Sequence, residues 1–314
     1  MTPRPVRIAL AVALLAGAAA CSSSGGSDPL AAKSPAPAPS ASSGASGAGA
    51  ASGKTVVVGS ANFPENVLLA SIYSQALQAK GVKVEEKFNI GSREVLYGQL
   101  QSGALTVLPE YNGALLGYLD AKSTATGKDA VNAELKAKLP AGLAVLDSAA
   151  AEDKDSLTVT QETADKLGVK SIADLAGKAQ DLVVGGPPEF KTRREQQFKD
   201  VYGLTFKEWK PTGDTTANAL KDGGIQVGNV FTTDPKIVQL KLVALDDPKN
   251  LFSSQNVTPL VNTAGLDATG TAALNAVSAK LDTAGLTALM KRVAVDKEDP
   301  SAVAKSWLKG AGLS

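Results

Sequence analysis

The chain has 314 residues, with 32 Lys and Arg against 31 Asp and Glu, no histidine and one cysteine. This near-neutral balance gives no electrostatic ground for a nucleic-acid partner. Without histidine or a second thiol there is no His-based triad, no His metal site and no internal disulfide, so no cofactor, metal or catalytic set is expected and the chain reads as a non-enzyme.

Met1 to Ala20 reads as a signal peptide: Arg4 and Arg7 form a basic start, and Ile8 to Ala20 is an apolar run ending in small residues. That run is too short for a membrane-spanning helix. Cys21 follows Ala18-Ala19-Ala20 and precedes Ser22-Ser23-Ser24, an arrangement that resembles a bacterial lipobox with Cys21 as the lipidated first residue. Ala18 stands where such a box usually has Leu, and ordinary cleavage after Ala20 is the other reading. From Ser22 to Gly53 the chain is nearly all Ser, Gly, Ala and Pro, which cannot bury enough apolar surface to offset its ordering entropy. It is expected to act as a tether with a reach of roughly 30 Å.

The folded part begins at Lys54. Lys54 to Gly59 is a β-branched run expected to be a buried strand, and Pro64-Glu65 suits the first turn of a helix that Val67 to Lys80 continues and Gly81 stops. Val82 to Phe88 alternates like a second strand. Ser92 is placed to cap a helix with Val95, Leu96 and Leu100 inward, and Leu105 to Leu108 is a third strand stopped by Pro109. This β-α-β-α-β order predicts a parallel sheet with helices on its faces. The pattern restarts with a strand at Ser156 to Thr160, helical turns at Glu162 to Leu167 and Ser171 to Leu175, and a strand at Leu182 to Gly185. A charged helix at Arg193 to Tyr202 and a strand at Gln226 to Phe231 follow. Asn256 to Val261 is extended, and helices are predicted over Thr269 to Leu281, Thr283 to Val295 and Ser301 to Leu308. Two βα blocks followed by helices alone imply that the C-terminal part returns to the first block. The expected division is lobe 1 over 54–155 and 256–314, and lobe 2 over 156–255. No internal repeat is visible.

Ligands of open α/β sheets sit beyond the carboxyl ends of the strands. The loops that fall there are Ser60 to Phe63, Gly91 to Glu94, Pro109 to Gly113, Gly185 to Phe190 and Phe231 to Pro235. Gly59-Ser60 with Asn62-Phe63, Gly91 to Glu94, Pro109 to Gly113, Phe231 to Asp234, Asn256 to Val261, and Leu281-Asp282 through Val295 to Trp307-Leu308 resemble in order the substrate-binding proteins of osmoprotectant ABC importers, the ProX- and OsmF-like group for glycine betaine, choline and carnitine. The resemblance spans about Val56 to Leu313. It implies a type II periplasmic-binding-protein fold, two lobes closing on a ligand by a hinge. It also implies a monomer, lipid-anchored on the extracytoplasmic face of the cell membrane, delivering a small-molecule solute to an ABC permease and its ATPase.

A quaternary ammonium donates no hydrogen bond, so its sites use aromatic faces, while a carboxylate at the other end takes Arg, Lys or backbone amides. Tyr111 matches the family's cage tyrosine. Phe231 stands where relatives carry a tyrosine, and Arg193 or Arg194 is the candidate for an anionic group. Asn62, Phe63, Glu110, Phe190, Thr232 and Asp234 complete the expected ligand-binding set. Tyr73, Tyr97, Tyr118, Tyr202 and Trp307 have helical spacing and are expected in the core. Ala61, Ala114 and Leu157 replace a Lys, a Thr and a Tyr found in relatives, which leaves open a more apolar or aromatic solute on the same fold. A ligand-gated sensory receptor is the remaining alternative.

Overall fold

The computed structural model describes residues 54–314, the side chains of Glu189 and Asp214 excepted. The signal peptide, Cys21 and the tether lie outside the described residues.

Ten strands form two five-stranded sheets. The first contains β1 (Val56–Ala61), β2 (Val84–Gly91), β3 (Val107–Tyr111), β4 (Leu143–Val145) and, from the far end of the chain, β10 (Val257–Asn262), in the order β2-β1-β3-β10-β4. The second contains β5 (Asp155–Thr160), β6 (Val183–Gly186), β7 (Glu208–Pro211), β8 (Val227–Phe231) and β9 (Leu242–Ala244), in the order β7-β6-β8-β5-β9. In each sheet four strands share one direction and the strand in the fourth position runs against them: β10 between β3 and β4, and β5 between β8 and β9. The two sheets are thus a topological repeat that the sequence does not betray, because the pattern lies in strand order and not in residue identity.

Around the first sheet pack α1 (Pro64–Ala79), α2 (Arg93–Ser102), α3 (Asn112–Leu119), α4 (Lys128–Lys138) and the C-terminal helices α9 (Ala268–Ser278), α10 (Thr283–Met290) and α11 (Pro300–Ala311). The second sheet carries α5 (Gln161–Leu167), α6 (Pro188–Gln197), α7 (Thr216–Lys221) and the short α8 (Lys236–Gln239). The first sheet has one apolar core reaching from Val58 and Leu68 to Leu286 and Leu308, and the second has two clusters, one centred on Phe198, Phe206 and Phe252 and a smaller one of Leu220, Ile225, Val230 and Leu242. The helix starts follow their local chemistry. Asp267, Asp282 and Asp299 accept the N3 amides of α9, α10 and α11 with their side chains, satisfying donors a helix leaves open.

Several expectations need correction. Pro109 does not stop β3: it sits opposite Pro259, a register in which neither ring owes the other a backbone donor, and the strand runs on through Glu110 and Tyr111. Ser92 stands at the N-cap of α2, but its hydroxyl turns to Glu94 instead of the backbone. Val95 is exposed, whereas Leu96 and Leu100 face inward. Tyr118 is exposed and packs edge-on against the buried Tyr97. The charged helix starts at Pro188, not Arg193, and its continuation ends at Gly203, whose φ of +68° suits glycine.

Candidate functional site

Two segments join the lobes, the chain around Glu152 to Asp155 and the chain around Ser254 to Asn256. They pair with one another: Glu152 bridges Asn256 antiparallel, the Asp153 N–H donates to Gln255 O at 3.2 Å, and the Val257 N–H donates to Ala151 O at 3.0 Å. The turn after β8 docks here from the second lobe. Thr232 donates to Glu152 O and accepts from the Lys154 N–H, while its own carbonyl accepts the Thr287 hydroxyl of α10 at 3.1 Å.

Around this ribbon lies a buried polar cluster. Tyr111, at the end of β3, is fully buried, and its hydroxyl donates to Glu65 Oε1 at 2.6 Å. Glu65 stands in the first turn of α1, directly after the Pro64 that starts the helix. Thr233 donates its hydroxyl to Asp153 Oδ1 at 2.7 Å, and both residues are buried. Burial is the first cause that raises the carboxyls of Glu65 and Asp153 above the ordinary range; the negative Asp153 adds to it for Glu65, and Asp155 and Asp234 add to it for Asp153.

Two ion pairs flank the cluster. Arg93, the first residue of α2, holds Glu110 through Nε and a terminal nitrogen at 2.8 and 3.0 Å, and the Tyr111 amide donates to the same carboxylate at 3.0 Å. On the other side Arg194 reaches Asp155 at 3.4 Å and Gln197 at 2.8 Å, and lies over the Phe252 ring at 5.1 Å. Asn229 donates to the second oxygen of Asp155 at 3.0 Å. The Nε of Arg194 is buried without a hydrogen-bond partner among the described residues.

The expected ligand residues divide into three groups. Tyr111, Phe63 and Phe231 lie at strand ends on the two sides of the ribbon. Phe63 stacks on Tyr111 with ring centres 6.4 Å apart, and Phe231 is 39% exposed. Asn62 is exposed in the turn before α1, and Asp234 is half-buried, its side chain accepting the Lys236 amide at 2.8 Å. A third group has other duties. Glu110 is saturated by Arg93 and backbone, Thr232 is tied to the first joining segment, and Phe190 sits in the second core between Phe198 and Trp209. Arg193 is exposed; its neighbour Arg194 is the buried arginine of the cluster.

Sequence reasoning gave no role to Glu65, Asp153, Asp155 or Asn229, and it placed Arg93 and Thr233 in the loops beyond the strand ends without singling either out. Local pattern gave Glu65 an ordinary place in a first helical turn and gave Arg93 one beside a cap. Their burial is a property of the packed lobes. The three departures Ala61, Ala114 and Leu157 are all buried, Ala61 and Ala114 in the first core and Leu157 in the second. A groove of about 430 Å³ lined by Lys54, Lys80, Lys83 and Asp267 shares no residue with this site. Among the described residues no acid or thiol cluster suits a metal, and no helix is long and apolar enough to cross a membrane.

A family model described as the substrate-binding domain of the ABC-type glycine betaine transport system matches residues 54–310. The chain is 29% identical to the glycine betaine-binding protein YehZ of Escherichia coli over 276 residues, covering 82% of this chain and 90% of that protein. It is 28% identical to a glycine-betaine-binding protein of Pseudomonas aeruginosa over 278 residues, covering 82% and 88%. The solved structure of apo YehZ superposes with a TM-score of 0.76 at 28% identity, over 84% of this chain and all of that one.

Proposed function

From the premise that this chain belongs to the family of substrate-binding domains of ABC-type glycine betaine transport systems, a family of solute-binding proteins and not of enzymes, we propose that it captures glycine betaine or a close quaternary ammonium between its lobes and hands it to a permease. The observation that carries the reading is the family match over nearly the whole described chain, joined to a two-lobed fold whose aromatic side chains flank the joining ribbon from both lobes.

In this reading the ammonium rests against Phe231 of the second lobe and the Phe63–Tyr111 stack of the first. Cation–π attraction there is worth about 0.5–2 kcal/mol per ring, rising as water is excluded. Arg194, with its unsatisfied Nε, supplies the positive partner for the ligand's carboxylate. Asn62 and Asp234 line the mouth. Lobe 1 comprises 54–155 and 256–314, lobe 2 comprises 156–255, and closing between them encloses the solute.

Calorimetric titration of the chain with glycine betaine, choline and carnitine tests this directly. Binding of at least one is expected, with Phe231→Ala weakening it roughly tenfold, the equivalent of about 1.4 kcal/mol. No heat with any of the three, or an unchanged affinity in the variant, would count against the reading and the ring respectively.

We further propose that Cys21 is lipidated and holds the protein to the extracytoplasmic face of the membrane as a monomer. Membrane fractionation checks the anchor: Cys21→Ser should move the protein to the soluble fraction, and retention would rule the anchor out.

A further inference from the structure

Asn66 is fully buried in the first turn of α1, yet its side chain serves the sheet. Its Oδ1 accepts the Ala61 N–H of β1 at 2.7 Å, and its Nδ2 donates to the Pro109 carbonyl of β3 at 2.9 Å. β1 and β3 pair in register at Val58 and Val107, and the bridging amide lies beyond that pair, toward the carboxyl ends of both strands. The sequence accounts for the gap it fills. Pro109 has no amide hydrogen to offer β1. On the other edge of β1 the register with β2 shifts between Gly59 and Ala61, and the Ser60 hydroxyl accepts the Asn89 N–H at 2.9 Å. The ladder between β1 and β3 gives way here, and a side chain that both accepts and donates closes it. Among side chains of this size only an amide does so: a carboxylate lacks the donor and a leucine lacks both groups.

We propose that Asn66 is a positioning residue for the solute, setting the spacing of the Phe63 and Tyr111 rings by holding the two strand ends that carry them. Each ring lies two residues beyond a backbone group that Asn66 holds, Phe63 after Ala61 and Tyr111 after Pro109. Phe63 is also the N-cap residue of α1, so the bond from Asn66 to Ala61 closes the turn in which it stands. The neighbouring Glu65 accepts the Tyr111 hydroxyl at 2.6 Å and fixes the far end of that ring. The first turn of α1 holds the pair at these points, and the rings stack with centres 6.4 Å apart and planes 27° apart.

Asn66 acts on the solute only through these rings, so the inference rests on reading them as a wall for the ammonium. A quaternary ammonium donates no hydrogen bond, and its attraction to aromatic faces depends on where the rings stand. Releasing the strand ends should cost affinity. It should also cost the preference for a fully methylated ammonium over one that lacks a methyl group.

Two measurements test this, the first without ligand. The full chain is labelled with 3-fluorotyrosine, and the Tyr111 signal among the five tyrosines is assigned by its loss in Tyr111→Phe. In fluorine NMR, Asn66→Leu cuts both bonds, while Asn66→Asp keeps the acceptor for Ala61 and sets a carboxylate against the Pro109 carbonyl. Each should displace the Tyr111 signal and leave those of Tyr73, Tyr97, Tyr118 and Tyr202 in place, which shows that the fold survives. Should Asn66→Leu fail to fold, the nearly isosteric Asn66→Asp carries the test. A Tyr111 signal unmoved in the folded variants would overturn the proposal. Calorimetry then compares glycine betaine with dimethylglycine, which has one methyl group fewer. Asn66→Asp should bind glycine betaine roughly tenfold more weakly than the parent and bring the affinity ratio of the two ligands toward one. A merely structural role would lower the thermal midpoint and leave that ratio at the parent's value, a result that would also overturn the proposal. A parent that binds neither ligand would strike the ammonium reading alone and leave the Tyr111 signal to decide the present one.

Discussion

Arg93 and Glu110 are the plainest case of a charge pair that burial makes decisive. Both are nearly inaccessible, and the guanidinium meets the carboxylate with two nitrogens while a backbone amide takes up the remaining capacity. Such a pair is weak evidence of net stabilisation, because desolvation cancels much of the attraction, yet removing one member strands the other. Arg93→Met should therefore lower unfolding free energy by about 3–5 kcal/mol in denaturant titration, and adding Glu110→Leu should restore a large part of it. Full additivity of the two losses would show that the pair is not coupled. The same residues mark the limit of legibility at this scale. Glu110 was visible in the sequence beside Tyr111 as a candidate ligand group, but its partner stands a helix start away and only packing brings them together. Arg193 and Arg194 were adjacent and indistinguishable by type; the helix phase that buries one and exposes its neighbour was not fixed by so polar a stretch.

The elements that position the site were largely legible where hydrophobic period and punctuation agreed, as for β1, α1, β2 and the C-terminal helices. They were missed where a strand is too short to show a period, as for β4 and β9, or where a rule of thumb met an exception. Pro109 is the instructive exception, because ending β3 there would have left Glu110 and Tyr111 in a loop and not at the end of a central strand. At the start of α3 the structure makes a sharper demand. A Cβ on Gly113 would lie 2.1 Å from the carbonyl oxygen of Ser254, and that backbone belongs to the second joining segment. The close approach lets the Gln255 side chain accept the Ala114 amide at 2.9 Å and the Asn112 side chain accept the Asn256 amide at 2.8 Å. Gly113→Ala should push the helix off the ribbon and cost about 1–3 kcal/mol, read as a lower thermal midpoint. An unchanged midpoint would mean that the contact yields freely.

At the scale of the molecule, the two lobes repeat one strand order and differ in how they complete it. The second sheet takes its antiparallel strand, β5, from the segment just before β6, whereas the first must wait for β10. The joining ribbon is the by-product, since the chain leaves the first lobe once and comes back once. Fold class and the idea of a returning C-terminal segment were legible because they depend on the order of elements. The buried polar cluster was not, because it depends on which faces meet. That return path also orders events while the chain is being made. Val107 pairs with Val261, so the first sheet cannot be finished until everything between them has been synthesised, while the second lobe is one continuous stretch with nearer partners. Distant pairings are slow to close and leave strand edges exposed. The lobe that lies in the middle of the chain should accordingly fold first on the ribosome, with β3 held as an unpaired edge until its antiparallel neighbour emerges.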